Sequence, residues 1–315
     1  MKNIRLTTIA DIGERGLITR LRARTRTGAG VVAGIGDDCA VVRSGDHPAS
    51  GTPPKEGNYT TDLVLKSDCV IEGRHFTAGT AGNLVGRKAV GRVLSDIAAM
   101  GAAPRWFLVD LVAPPETPLA FIDEVHAGMM ELSAKYDFAL VGGDTAQGPI
   151  FELHIFGVGE VPRGEAVLRS GAKTGDGVYV TGVLGGSFKS GKHLNFEPRV
   201  REGEFLRGKA NAMIDISDGL ASELWHIAEE SGVRIEIDST KIPLADDASV
   251  ENALYDGEDF ELLFTMRTTP PSGHPSNGGE FLKFTRIGQV VSVGKAEVII
   301  DGNELPKMGF DHFKK

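Results

Sequence analysis

Ala212-Met213-Ile214-Asp215-Ile216-Ser217-Asp218-Gly219-Leu220 places a strand, a tight turn and the start of a helix in succession. The apolar run Ala212 to Ile216 predicts a buried strand, and the spacing from Asp218 to Ser231 predicts a helix stopped by Gly232. A strand that turns directly into a helix is the unit of α/β architecture. The same alternation extends outward. Toward the N-terminus, strands are predicted at Tyr59 to Leu65, Trp106 to Val112, Phe138 to Val141, Phe151 to Glu160 and Gly177 to Thr181. Between them come helices at Asn83 to Met100 and Leu119 to Lys135, after a short amphipathic helix at Asp11 to Arg24. Toward the C-terminus, Val233 to Ile237, Phe260 to Met266 and Ala296 to Ile300 complete the predicted strands. Ser44 to Asn58 and Thr268 to Gly279 are rich in Gly, Pro and Ser and read as loops.

With 315 residues the chain exceeds the usual single-domain length, so two domains are expected. Pro162-Arg163-Gly164 is the candidate boundary, dividing the chain into residues 1–161 and 162–315. Apolar residues at 41% and charged residues at 24% fall in the ordinary globular range. No apolar run is long enough to span a bilayer and no secretory signal opens the chain, so a cytoplasmic location and no membrane partner are expected. Cys39 and Cys69 are too few for a disulfide framework or a four-ligand zinc site. A net charge of −9 argues against a nucleic-acid partner, and the basic run Arg15, Arg20, Arg22, Arg24, Arg26 reads as a solvated helix face. An acidic protein that handles phosphate needs cations between its carboxylates and the ligand.

Five segments place Asp beside Gly, Ser or Thr at an element boundary: Gly36-Asp37-Asp38, Ser67-Asp68, Ser95-Asp96, Gly142-Gly143-Asp144-Thr145 and Asp215-Ile216-Ser217-Asp218-Gly219. Any one of them can be a turn or a helix cap, and Ser217 or Asp218 can simply cap the helix that follows. Together they suit magnesium, which takes hard oxygen ligands from one or two carboxylates plus substrate phosphates. The Gly142-Gly143-Asp144 turn lets backbone approach a phosphate, or is a plain β-turn. Gly186-Ser187-Phe188-Lys189-Ser190-Gly191-Lys192 matches seven positions of a P-loop, but His193 stands where Ser or Thr must bind magnesium, and Pro198 arrives before a full helix. It reads as a decoy.

Read in order, these segments resemble the signature of the thiamine-monophosphate kinase family, of the aminoimidazole ribonucleotide synthetase-like superfamily. Gly13 to Ile18, Gly34-Ile35-Gly36-Asp37-Asp38-Cys39-Ala40, Gly73-Arg74-His75-Phe76 and Ser95 to Ala102 carry the first half of the resemblance. Gly142 to Thr145, Arg169-Ser170-Gly171-Ala172, Ile214 to Leu220, Gly257 to Leu262 and Gly309 to Phe313 carry the second. The family's Ser/Thr-Asp stands seven residues before its His, which selects Ser67-Asp68 over Thr61-Asp62, His75 being the matching histidine.

The resemblance implies a two-domain α/β (α+β) fold. An N-terminal mixed sheet with helices would bind metal and ATP and pair in a homodimer, and a C-terminal α/β domain would complete the nucleotide and substrate site. It implies magnesium ligation by Asp38, Ser67, Asp68, Asp96, Asp144, Asp215 and Asp218, ATP contacts from Gly143, Arg169 and Ser217, and a thiamine monophosphate site lined by His75, Glu258 and Phe310. The implied reaction is ATP- and magnesium-dependent phosphorylation of thiamine monophosphate to thiamine diphosphate by in-line transfer. No distinct catalytic base is implied, because the acceptor oxygen is already anionic. Three departures from the family pattern stand out: roughly twenty residues are absent after Gly186, Asp256 replaces a glycine before Gly257, and Lys66 replaces a Ser or Thr. They leave open a superfamily enzyme with another acceptor, or a nucleotide-binding protein without catalysis.

Overall fold

The computed structural model describes residues 9–23, 30–43, 60–267 and 283–310. Helix α1 (Ile9–Arg22), kinked at Gly13, leads into strands β1 (Val31–Ala33), β2 (Ala40–Arg43) and β3 (Thr61–Ile71). Helix α2 (Gly82–Ala99), strand β4 (Ala103–Ala113), helix α3 (Leu119–Tyr136) and strands β5 (Ala139–Gly142), β6 (Thr145–Gln147) and β7 (Glu152–Pro162) follow. These strands form one mixed sheet in the order β1-β2-β3-β7-β4-β5, with β6 also paired to β4. Alternation along β4 and β7 buries Phe107, Leu153 and Ile155 on one face, where α2 packs, and leaves Trp106, Leu108 and Phe156 exposed on the other.

Helix α2 is small-residue rich for a steric reason. A Cβ on Gly86 would meet the Val125 carbonyl oxygen at 1.9 Å, and one on Gly128 would meet the Asn83 carbonyl oxygen at 1.9 Å, so the backbones of α2 and α3 touch. Only glycine permits that approach.

The second half begins with β8 (Gly177–Thr181), the short helices α4 (Ser187–Ser190), α5 (Lys192–Asn195) and α6 (Val200–Leu206), and β9 (Ala212–Asp215). Helix α7 (Leu220–Ser231), β10 (Val233–Ile237), helix α8 (Val250–Tyr255), β11 (Leu262–Met266), β12 (Phe284–Val293), β13 (Glu297–Ile300) and β14 (Asn303–Glu304) complete it. The second sheet runs β14-β13-β10-β12-β8-β11-β9 and carries α7 against it through Leu220, Leu224 and Ile227. Gly232 ends α7 in the left-handed conformation at φ 62°. Helix α2 also contacts α5, α6 and β9, so it is the element both sheets share.

Several expectations change. Strand β3 continues to Ile71 instead of stopping at Leu65, which puts Lys66, Ser67 and Asp68 on a strand. Strand β12 was not foreseen: Gly288 and the polar Thr285, Arg286 and Gln289 break its alternation, and the register shifts there against β8. As Pro198 leads one to expect, no full helix follows the P-loop-like residues, which form α4 and the start of α5, four residues each, with Gly191 between them. Arg15 is part-buried and donates to Ser222, while Arg22 pairs with Glu230 in solvent, so the basic run is not one solvated face. Both predicted loops lie outside the described residues, as do Arg24 and Arg26.

Candidate active site

Asp38, Asp96 and Asp215 converge from three elements. Asp38 follows the turn before β2, Asp96 lies in the last turns of α2, and Asp215 ends β9. All three are buried, and each offers an oxygen within 4.8 Å of the others. Arg169 donates to Asp38 Oδ1 from Nη2 at 2.6 Å and from Nε at 3.2 Å. The Ser95 hydroxyl donates to Asp215 Oδ2 at 2.6 Å, and Lys66 Nζ donates to Asp96 Oδ1 at 2.6 Å. Asp38 Oδ2 is buried with no hydrogen-bond partner.

Packed carboxylates out of water favour their neutral forms. Burial, then Asp38, pushes Asp215 up to about 6, and burial with Asp215 and Asp68 raises Asp96 far above the usual range despite Lys66. Asp37, beside the cluster, is pushed up to about 7 by burial and by Asp38. Burial works against Lys66 as well, but Asp96 and Asp68 win and raise it above the ordinary lysine value. Asp68 is also pushed up by burial, yet the Arg92 and Lys66 charges hold it below the carboxylate range. Arg92 grips Asp68 at 2.9 and 3.1 Å.

A second network lies beside the first. Glu258 accepts from Lys88 at 2.7 Å and from Arg92 at 3.1 Å, and His193 Nδ1 approaches it at 3.3 Å. Lys88 is fully buried and also bonds the His75 carbonyl oxygen at 2.7 Å and His193 at 2.9 Å. Burial lowers Lys88 to about 8, with Glu258 opposing. Glu258 holds a left-handed backbone, φ 55°, because its N–H is tied to the Ser217 carbonyl at 2.6 Å. The turn that carries Ser217 and Asp218 is thereby fastened to the segment that carries Glu258.

The remaining sequence-derived residues divide. His75 is buried and its Nδ1 accepts from the Ile71 N–H at 3.0 Å. Phe310 donates its N–H to the Asp218 carbonyl, and the Arg74 guanidinium lies 5.2 Å from its ring, so Phe310 and Asp218 meet at the same edge. Neither Ser217 nor Asp218 caps α7: its N-cap is Gly219, at φ 102°, with no side-chain cap, and a Cβ there would meet the Leu254 carbonyl oxygen at 2.5 Å. Gly143 and Asp144 lie exposed on the β5–β6 turn, outside the three-carboxylate group, with the Asp144 N–H bonded to Asp110. Ser67 is exposed on the face of β3 opposite Asp68, as alternation requires, so its hydroxyl does not join the cluster. Asp62, set aside on spacing, accepts from the Gly164 N–H at 2.9 Å.

A family model described as AIR synthase related protein, N-terminal domain, matches residues 36–161. Thiamine-monophosphate kinase of Escherichia coli strain K12 is 34% identical over 335 aligned positions, covering 96% of this chain and 98% of that protein. The chain belongs to the thiamine-monophosphate kinase family. The thiamine-monophosphate kinase of Aquifex aeolicus strain VF5 is 31% identical over 97% of this chain and 99% of its own length. A solved structure described as AaThiL complexed with AMPPCP and TMP superposes with a TM-score of 0.82 at 30% identity, covering 98% of this chain and 99% of that one.

A thiamine-monophosphate kinase fold of this kind implies magnesium, and the residues fit it. Hard carboxylate oxygens converge, and the unpartnered Asp38 Oδ2 is an acceptor that a cation would satisfy. Sequence reading missed Lys88, Arg92, His193 and Glu223. Glu223 is buried, its carboxyl raised far up by burial and by Asp218, and it accepts from the Asp218 N–H at 3.0 Å. One signal was available: Lys88, Arg92 and Asp96 recur every four residues along α2, a charged stripe on a mostly apolar helix whose one other charge is Arg87.

Proposed function

We propose that this chain phosphorylates thiamine monophosphate with ATP, giving thiamine diphosphate and ADP. The single observation that carries the reading is the buried convergence of Asp38, Asp96 and Asp215 with Arg169, in a chain related over nearly its whole length to thiamine-monophosphate kinases. Asp38, Asp96 and Asp215, with Asp68 and Asp218, would hold magnesium; Asp144, on its exposed turn outside that group, would join only through the bound phosphates, and Ser67 would have to serve through its main chain. When bound, magnesium supplies charge neutralisation between the ATP phosphates and the acceptor phosphate.

The chain's own residues do the rest. Arg169, fixed on Asp38, stands ready to take charge that develops on the transferred phosphoryl group. Gly143 offers bare backbone to a phosphate, and Ser217 borders the uncapped start of α7, whose free N–H groups favour anions. His75, Glu258 and Phe310 form the acceptor side, with Lys88 and Arg92 holding Glu258 in place. An acceptor oxygen that is already anionic needs no base, so catalysis rests on alignment.

The reading includes a cytoplasmic homodimer. Among the described residues no helix is long and apolar enough to cross a membrane. Trp106, Leu108 and Phe156, 45%, 41% and 41% exposed, share the outer face of the first sheet, and Leu108 lies directly opposite Phe156. A face of this kind is suited to pairing with a second copy. Residues 1–161 would then serve pairing and metal, and residues 162–315 would close the site.

The test is direct. Purified protein with ATP and magnesium should form thiamine diphosphate and ADP from thiamine monophosphate, resolved by chromatography, and should use free thiamine poorly. If ATP and magnesium bind but thiamine monophosphate is neither bound nor phosphorylated, the acceptor is another compound.

A further inference from the structure

We propose that the Lys66 ammonium is a resident cation of the carboxylate cluster, filling by covalent attachment a place that a divalent ion would otherwise occupy. The inference rests on the reading that Asp38, Asp96 and Asp215 hold magnesium. Lys66 and Asp68 stand two residues apart on β3, so they share the strand face turned toward α2. From there Lys66 reaches Asp96 at 2.6 Å, with its side chain 25% exposed and that of Asp96 8% exposed.

Charge and distance both limit what else can bind. A magnesium ion ligated by Asp96 Oδ1 lies about 2.1 Å from that oxygen. An ammonium 2.6 Å from the same atom then competes for the same lone pairs, and like charges so close repel strongly out of bulk water. Four carboxylates, Asp38, Asp68, Asp96 and Asp215, face three basic groups, Lys66, Arg92 and Arg169. Removing Lys66 leaves the group one negative charge richer and Asp96 Oδ1 without its cation, the oxygen a divalent ion would take. Asp68 and Asp38 have guanidinium partners of their own, so Lys66 is the group that neutralises Asp96. Lys66 thereby lowers the number of divalent ions the site requires.

Manganese, which is visible by electron paramagnetic resonance and by anomalous scattering, is the probe. Wild-type protein and Lys66→Ser are titrated with manganese in the presence of AMPPCP, and bound ions are counted per protomer. Lys66→Ser should bind one ion more than wild type. An equal, nonzero count in the two folded proteins overturns the role of Lys66 alone, and no bound manganese in either overturns the metal reading and the proposal with it. Should Lys66→Ser not fold, crystals of wild type with manganese and AMPPCP decide. Lys66 Nζ within hydrogen-bond distance of Asp96, with no anomalous peak on Asp96 Oδ1, supports the proposal; a manganese peak at that oxygen with Lys66 swung away refutes it.

Discussion

Replacing Glu258 with Gln isolates the cost of leaving Lys88 buried without a counter-charge. In the native protein Lys88 is wholly buried and its pKa stands at about 8, against 10.5 for a free lysine. A base whose folded pKa is depressed binds fewer protons folded than unfolded, so stability falls as pH drops from 10.5 and levels off below 8. At pH 7 that penalty is roughly 3 kcal/mol. The other partners of Lys88, the His75 carbonyl and His193, do not replace a carboxylate, so Glu258→Gln should push the folded pKa below 7. The fall in stability then continues past pH 8 and adds about 1.4 kcal/mol at pH 7. Near pH 9 this extra cost vanishes, leaving only about 1 kcal/mol for the weakened bond to Arg92. Urea denaturation of both proteins at pH 7 and pH 9 measures the difference, and adding Lys88→Met to the variant should abolish its pH dependence. Equal deficits at the two pH values would refute the reasoning.

The raised carboxylates also make metal affinity depend on pH. Asp215, at about 6, must release its proton before it can ligate a cation, so magnesium affinity measured by calorimetry should be high at neutral pH. Below pH 6 it should fall by at least about tenfold per unit, and a flat profile between pH 5 and 7 would exclude Asp215 as a ligand. Lys192→Ala should keep ATP affinity within about threefold and lose roughly 1–3 kcal/mol, because Glu261 retains two bonds from Arg199 and one from Thr181 while buried Asp259 loses the cation beside it. A hundredfold loss of affinity in a folded variant would instead make Lys192 a phosphate ligand.

What could be read from the residues followed from local rules, and what could not was tertiary. Val233–Ile237 and Gly177–Thr181 match their predicted bounds because β-branched residues that alternate with charged ones, or run together, beside a glycine obey strand rules locally. The extension of β3 through Lys66-Ser67-Asp68 was hidden because charged residues at a strand's end resemble a loop until their buried partners on α2 are known. Asp38, Asp96 and Asp215 were each singled out beside a Gly or Ser at an element boundary, and the fold brings them together. Asp144 keeps its place on a turn but stands apart, and the Ser67 hydroxyl faces away. Glu223 carries no local mark and Lys88 only its place in the α2 stripe, since a charged helical residue looks solvated until something covers it.

The three converging aspartates come from distant parts of the chain: a turn in the first sheet, the helix that both sheets share, and a strand of the second sheet. None of these segments can assemble the cluster alone, and chain emerging from the ribosome lacks Asp215 until most of its length has been made. The cluster is therefore complete only late, when both sheets have closed on α2. On the proposed reading, half-made or half-folded copies would sequester neither nucleotide nor metal through this cluster.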